Sequence, residues 1–85
     1  MIYIDRLRFY ENYGYAAHMI SDVSIEDLHN FAKENGIHRR FYHSSRKHPH
    51  YDIIAEHYTR AINGGAKVVT SKEIIRVIKN RRLFT

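Results

Sequence analysis

The sequence predicts a small α/β domain: a mainly parallel four-stranded sheet with three helices, in the order β-β-α-β-α-β-α. Three observations carry that expectation. Short β-branched and aromatic runs alternate with longer segments of helical apolar spacing. Two of the helical segments open on capping-box residues. Gly36 and the Gly64–Gly65 pair stand where two of the apolar stripes stop. Strands alternating with helices imply right-handed crossovers and therefore parallel neighbours. The 85 residues are too few for a second domain, so residues 1–85 are expected to form one unit.

The elements follow in order. "MIYI" is a β-branched and aromatic run ending at Asp5 and reads as the first strand. Residues 6–14, with Asn12 and Gly14 as turn formers, read as a loop. "YAAHMIS" is the second strand, with Tyr15, Ala17 and Met19 on one face and Ala16, His18 and Ile20 on the other. In "SIEDLHNFAKENG", Ser24 caps a helix, Asp27 is placed to reach back to it, and Ile25, Leu28, Phe31 and Ala32 form the apolar stripe. "IHRRFY" is the third strand, and residues 43–51 read as a polar loop. Asp52 is expected to cap the second helix, whose inward residues are Ile54, Tyr58, Ala61 and Ile62. "AKVVT" is the fourth strand. Thr70 and Glu73 open the third helix, with Ile74, Ile75, Val77 and Ile78 inside; Lys79, Arg81 and Arg82 give its last turn the charge that the helix dipole favours. In parallel sheets ligands gather at the carboxyl ends of strands, so Asp5, Asp22, the loop after Tyr42, Thr70 and Ser71 are expected along one edge.

Composition narrows the partners. Net charge is +5, a balance that favours anions: nucleotides, phosphorylated metabolites, nucleic acid or acidic protein. The chain has no cysteine, which excludes disulfides and thiolate metal sites and suits a reducing cytoplasm. No apolar run approaches the roughly 20 residues of a membrane span, and "MIYIDRLRF" carries charges where a signal peptide is apolar. A cytoplasmic location and no membrane partner are therefore expected. So short a chain without staples is expected to gain support from homo-oligomerisation.

The densest chemistry is "RKHPHYD" at 46–52. His48, His50 and Asp52 spell H-x-H-x-D, the order that opens the metal-binding signature of metallo-β-lactamase-type hydrolases. Here Ile53 stands where that signature continues with histidine, and the chain is far too short for its fold. Pro49 also holds His48 extended, and alternate residues of extended chain point apart. No metal and no cofactor are expected; Asp5, His50 and Asp52 are the alternative ligand set. A second reading is acid–base chemistry by His18 and His50, with Asp5 or Asp52 orienting one ring. His29 reads as packed beside its helix stripe, and His38, His43 and His57 as surface. The third reading is an anion clamp at helix starts, to which Arg8, Arg40 and Arg60 add bidentate contacts and Tyr42 or Tyr51 stacks on a base. The basic tail "KNRRLFT" reads as a solvated helix end and, alternatively, as a nucleic-acid contact.

Taken together, "YIDRLR", "HMISD", "LHNFA", Gly36, Arg40, Phe41–Tyr42, "HYD" at 50–52 and "GA" at 65–66 give the chain its pattern. In order and spacing it resembles a family of short phage and actinobacterial proteins known only as a domain of unknown function, the four-zero-three-one family. The resemblance covers nearly the whole chain. It departs at Arg6, where the family carries a second aspartate, and at His57–Tyr58, where many members carry Lys-Arg. It implies a candidate set of Asp5, Arg8, His18, Arg40, His50, Tyr51 and Asp52, and no activity. A phage origin, hence action in a host cytoplasm, is an expectation from the same resemblance.

Cations that hold phosphates beside carboxylates that accept from sugar or base groups suggest a nucleotide pocket. The expected function is binding, and sequestration, of a nucleotide-like phosphorylated small molecule at the strand ends. Arg8, Arg40 and Arg60 would meet phosphate, Tyr51 would stack, and Asp5 and Asp52 would fix sugar or base. His50, Tyr51 and Asp52 would line the pocket, with Arg46, Lys47 and His48 as its basic rim. The alternatives are a histidine- or metal-assisted phosphodiesterase or nuclease using His18 and His50, and a basic nucleic-acid-binding module.

Overall fold

The computed structural model describes residues 1–12, 14–45 and 47–82. In chain order the elements are β1 (Ile2–Ile4), β2 (Arg8–Tyr10), β3 (Gly14–Ser21), α1 (Ile25–Glu34), a 3-10 turn (Arg39–Phe41), β4 (Tyr42–His43), β5 (His50–Ile54), α2 (Ala55–Asn63), β6 (Lys67–Val68) and α3 (Ser71–Arg82). They build a small α/β domain with a six-stranded mixed sheet ordered β4-β5-β3-β1-β6, with β2 also on β3.

The long strand β3 organises the sheet. Ala16 pairs with both Arg8 and Ile54, and Met19 with both Ile4 and Tyr51. β5 therefore runs along one edge of β3, while β1 and β2 share the other end to end. Residues 5–7 between β1 and β2 face only Ala17 and His18 across the ladder, which makes a bulge there. The sheet is mostly antiparallel; among the described residues only β1 and β6 run parallel. This corrects the expected mainly parallel four-stranded sheet. The chain returns on itself by hairpin-like connections at β2–β3 and β4–β5, so crossovers do not set most of the pairing.

Three further expectations change with it. The segment 6–14 contains β2 rather than a loop throughout. Most of "IHRRFY" is not strand: His38 accepts the Arg40 N–H and starts a 3-10 turn, and only Tyr42–His43 pairs. Asp52 does not cap α2. It sits mid-strand in β5, and Ile54 occupies the cap position with no side-chain cap bond. Tyr51 and Ile53 gain burial by pairing in strand register, and that outweighs the capping preference of a lone aspartate.

The helices match their sequence signals more closely. The Ser24 hydroxyl accepts the Asp27 N–H at 2.9 Å, but the Asp27 carboxylate accepts instead from the Ser21 hydroxyl at 2.7 Å. At the end of α1, Gly36 adopts φ +71° and Ile37 N–H returns to Ala32 C=O at 2.8 Å, the paired bonds of a Schellman stop. Thr70 accepts the Glu73 N–H at 3.1 Å at the start of α3, as the capping box requires.

Alternation along the strands makes two layers. Ile2, Ile4, Ala17, Met19, Tyr51 and Ile53 pack with Leu28 and Ala32 of α1 and Ala61 of α2. On the opposite face Ile20 and Val69 pack with Ile74 and Ile78 of α3. Ile75, expected inside, is 38% exposed. α3 covers only part of its face, and the uncovered part carries polar side chains. Among the described residues, no helix is long and apolar enough to cross a membrane.

Candidate functional site

The uncovered face takes its residues from strand register. His18 lies opposite Asp52 across β3–β5, and His43 opposite His50 across β4–β5. Side chains at 50 and 52 share one face, and those at 51 and 53 the other. Three histidines and one aspartate from adjacent strands thus stand together. The ring centroids of His18 and His50 are 5.2 Å apart, and those of His43 and His50 are stacked at 5.3 Å.

Asp5 closes this group from the bulge. It is 2% exposed. Its Oδ1 accepts the His18 backbone N–H at 2.7 Å; its Oδ2 meets His18 Nδ1 at 3.0 Å and accepts the Ser71 hydroxyl at 3.1 Å. Burial pushes the Asp5 carboxyl upward, but the hydrogen bonds from the His18 ring, the His18 backbone and Ser71 outweigh it and hold the carboxyl below its ordinary value. The bond to Asp5 raises His18 above its ordinary value, against burial and the Arg8 charge and with help from Asp52. Asp5 lies at the end of β1 and Ser71 just past β6, so both stand at the carboxyl ends of the parallel pair β1–β6. Asp22 does not join them: β3 runs antiparallel to β1, and Asp22 binds the Met1 amino group at 2.8 Å at the far end.

His50 and Asp52 are also fixed. His50 Nδ1 contacts the His48 carbonyl at 2.5 Å, and because a carbonyl only accepts, that nitrogen carries the hydrogen. His50 Nε2 then faces Asp52 Oδ1 at 3.3 Å, while His43 Nε2 holds Asp52 Oδ2 at 2.6 Å. Asp5, His18, His50 and Ser71, together with Arg8, Tyr10 and His48 and against Ile74 and Ile78 of α3, bound a cavity of about 290 Å³, whose lining does not include Asp52 or His43. His48 Nδ1 is buried and has no hydrogen-bond partner among the described residues.

The other expected ligand residues lie elsewhere. Tyr51, 1% exposed, points to the α1–α2 side, where its hydroxyl and His29 Nδ1 are 2.6 Å apart. It cannot stack on a ligand beside His50 and Asp52, because its strand parity is opposite. Burial holds the Tyr51 hydroxyl above its ordinary value; burial, with Arg39, holds His29 below its own. Arg40 lies over the Phe41 ring at 4.9 Å, and Arg60 donates to the Gly36 carbonyl at 3.2 Å. A second cavity of about 570 Å³ opens on this side, lined by His29, Lys33, His38, Arg39 and Tyr51 among others. Arg46 and residues 83–85, expected at a basic rim and in a basic tail, lie outside the described residues.

Sequence reasoning misses one contributor: His43 lies at the surface as expected, 58% exposed, but it also holds Asp52, and pairing 42–43 against 50–51 is the signal that reveals it. His48, expected in the rim, does line the cavity, and its carbonyl orients His50 as well. Of the alternative metal set, Asp5 has both oxygens engaged. His18, His50 and Asp52 instead each offer one ligand atom within 4.8 Å of the others.

No curated protein and no solved structure matches the sequence. A family model does match, over residues 2–81, and by that extent the chain belongs to the family described as protein of unknown function, DUF4031.

Proposed function

We propose that the chain binds a phosphorylated small molecule of nucleotide-like size in the cleft between the open sheet face and α3. The supporting observation is the lining itself: Arg8, His18, His48, His50 and Ser71 face an isoleucine wall across a single cavity. The Arg8 guanidinium supplies donors for phosphate oxygens, and the isoleucines give an apolar bed for a ring. At about 290 Å³ the cavity stands near the lower bound for ligand sites and suits a single mononucleotide-sized compound. Arg40, Arg60 and Tyr51 take no part in this reading, since their contacts lie on the other face.

A second reading, phosphoester hydrolysis, is favoured by one feature. His18 is backed by a buried carboxylate and stands 5.2 Å from an independently oriented His50, more order than binding alone requires. Self-association and action on a host nucleotide signal belong to the same proposal; sedimentation reads the first directly.

Incubation with mononucleotides, cyclic dinucleotides and ADP-ribose-type compounds, followed by filtration and chromatography of both fractions, separates these readings. A compound retained and released intact supports binding, and Arg8→Ala then weakens retention about tenfold or more. A product peak that His50→Ala abolishes supports hydrolysis. Retention of oligonucleotides alone, falling steeply with salt, would overturn both in favour of nucleic acid.

A further inference from the structure

We propose that His18, His50 and Asp52 form a three-ligand site for a divalent transition-metal ion of the zinc type. All three side chains project from the central strands β3 and β5, so sheet register rather than loop conformation holds them. One ligand atom from each lies within 4.8 Å of the others. The 3.3 Å between His50 Nε2 and Asp52 Oδ1 is already an edge of a tetrahedron with metal–ligand bonds of about 2.0–2.1 Å.

Proton bookkeeping points the same way. His50 Nδ1 carries its hydrogen toward the His48 carbonyl, which leaves Nε2 bare in the neutral ring. That bare nitrogen faces a carboxylate oxygen, and two lone-pair atoms so close call for a cation between them. His18 repeats the pattern: its Nδ1 binds the Asp5 carboxylate, leaving Nε2 as the ring's other donor to a metal. Every member of the set also has an outer partner, as metal ligands do: Asp5 for His18, the His48 carbonyl for His50, and His43 for Asp52.

Two imidazoles and one carboxylate suit zinc and its neighbours, and ill suit magnesium or calcium, which take oxygen donors. Three protein ligands leave a position open to water or an anionic oxygen, the arrangement of a reactive rather than a structural centre. A bound dication would also offset the repulsion between the two carboxylates and an anion in the cleft. The site does not depend on the phosphate reading, because its test uses the metal alone.

The full chain, stripped with chelator, is titrated with Zn²⁺ by calorimetry and with Co²⁺ by visible absorption. The expected result is one ion per chain with a tetrahedral or five-coordinate cobalt spectrum. His50→Ala and Asp52→Asn should each weaken binding about a hundredfold or more, and Asp5→Asn about 10–100-fold. His38→Ala and His57→Ala should leave it unchanged. Where a variant fails to fold, imidazole ¹⁵N spectra of the wild-type chain serve instead: Zn²⁺ should move the His18 and His50 Nε2 signals. No binding, or binding indifferent to His50 and Asp52, or zinc shifts confined to other histidines, would overturn the site; the His50–Asp52 contact would then be an ordinary imidazolium–carboxylate pair. Retention of a phosphorylated compound in the presence of chelator keeps the two proposals separate, since either can fail while the other stands.

Discussion

Along β5, Tyr51 and Ile53 point toward α1 and α2 and are buried, whereas His50 and Asp52 point toward α3 and stay partly open. Five consecutive residues thus serve two environments. Among the described residues, eleven buried ones form a continuous core on the first face and four on the second, and the space beyond those four holds the cleft lined by Arg8, His18, His48 and His50. Each face also has a histidine bonded to a strand or bulge side chain, with opposite results. His29 meets a neutral tyrosine hydroxyl and is held below its ordinary pKa by burial; His18 meets a carboxylate and is raised. Burial without charge compensation disfavours the charged ring, and a carboxylate partner favours it.

This contrast predicts that neighbouring substitutions in β5 separate stability from ligand binding. Tyr51→Ala should cost about 3–5 kcal/mol in urea unfolding, by leaving a cavity in the larger core. Asp5→Ala should come next, at about 3 kcal/mol, because it strands the His18 and Ser71 donors that converge on a buried carboxylate. A loss below about 1 kcal/mol would mean that Asp5 serves the site alone. Gly36→Ala should cost about 1–2 kcal/mol, since its φ of +71° lies where a Cβ is strained. Asp52→Asn, between two core residues in sequence, should change stability by less than about 1 kcal/mol, because its partner His43 is largely exposed.

The smallest effect concerns pH. His29 and His57 are both held below their ordinary value, chiefly by burial. The unfolded chain therefore takes up protons first as pH falls. Their contribution to stability is complete above about pH 6.5 and is lost as pH drops from there toward their lowered folded-state values. In urea unfolding between pH 8 and pH 5, His29→Phe should show a shallower loss than the native chain. An identical slope would show that the His29–Tyr51 pair is not linked to folding.

The same contrast explains what was legible in the sequence. The helices were, because 3.6-residue spacing, Ser24, Thr70, Gly36 and Gly65 are local signals that survive in the structure. The sheet was only half legible. β2 and β4 are three and two residues long, too short to show alternation, and with them the antiparallel hairpins disappeared. Asp52 before an apolar run reads equally as a helix cap or a mid-strand residue, and only long-range pairing with His18 decides. For that reason His18, His50, Asp5 and Asp52 were legible as candidates, but not the face they share nor the separation of Tyr51 from them. His43 emerges only from its register with His50.

The most direct test of the account is the tautomer of each imidazole, read from long-range ¹H–¹⁵N spectra of the metal-free chain at mildly alkaline pH. The account predicts that His18 and His50 both carry hydrogen on Nδ1, bound to Asp5 and to the His48 carbonyl, with Nε2 bare. Hydrogen on Nε2 of either ring would mean that Asp5 or His48 does not orient it, and the cleft would then be a polar surface rather than a prepared site.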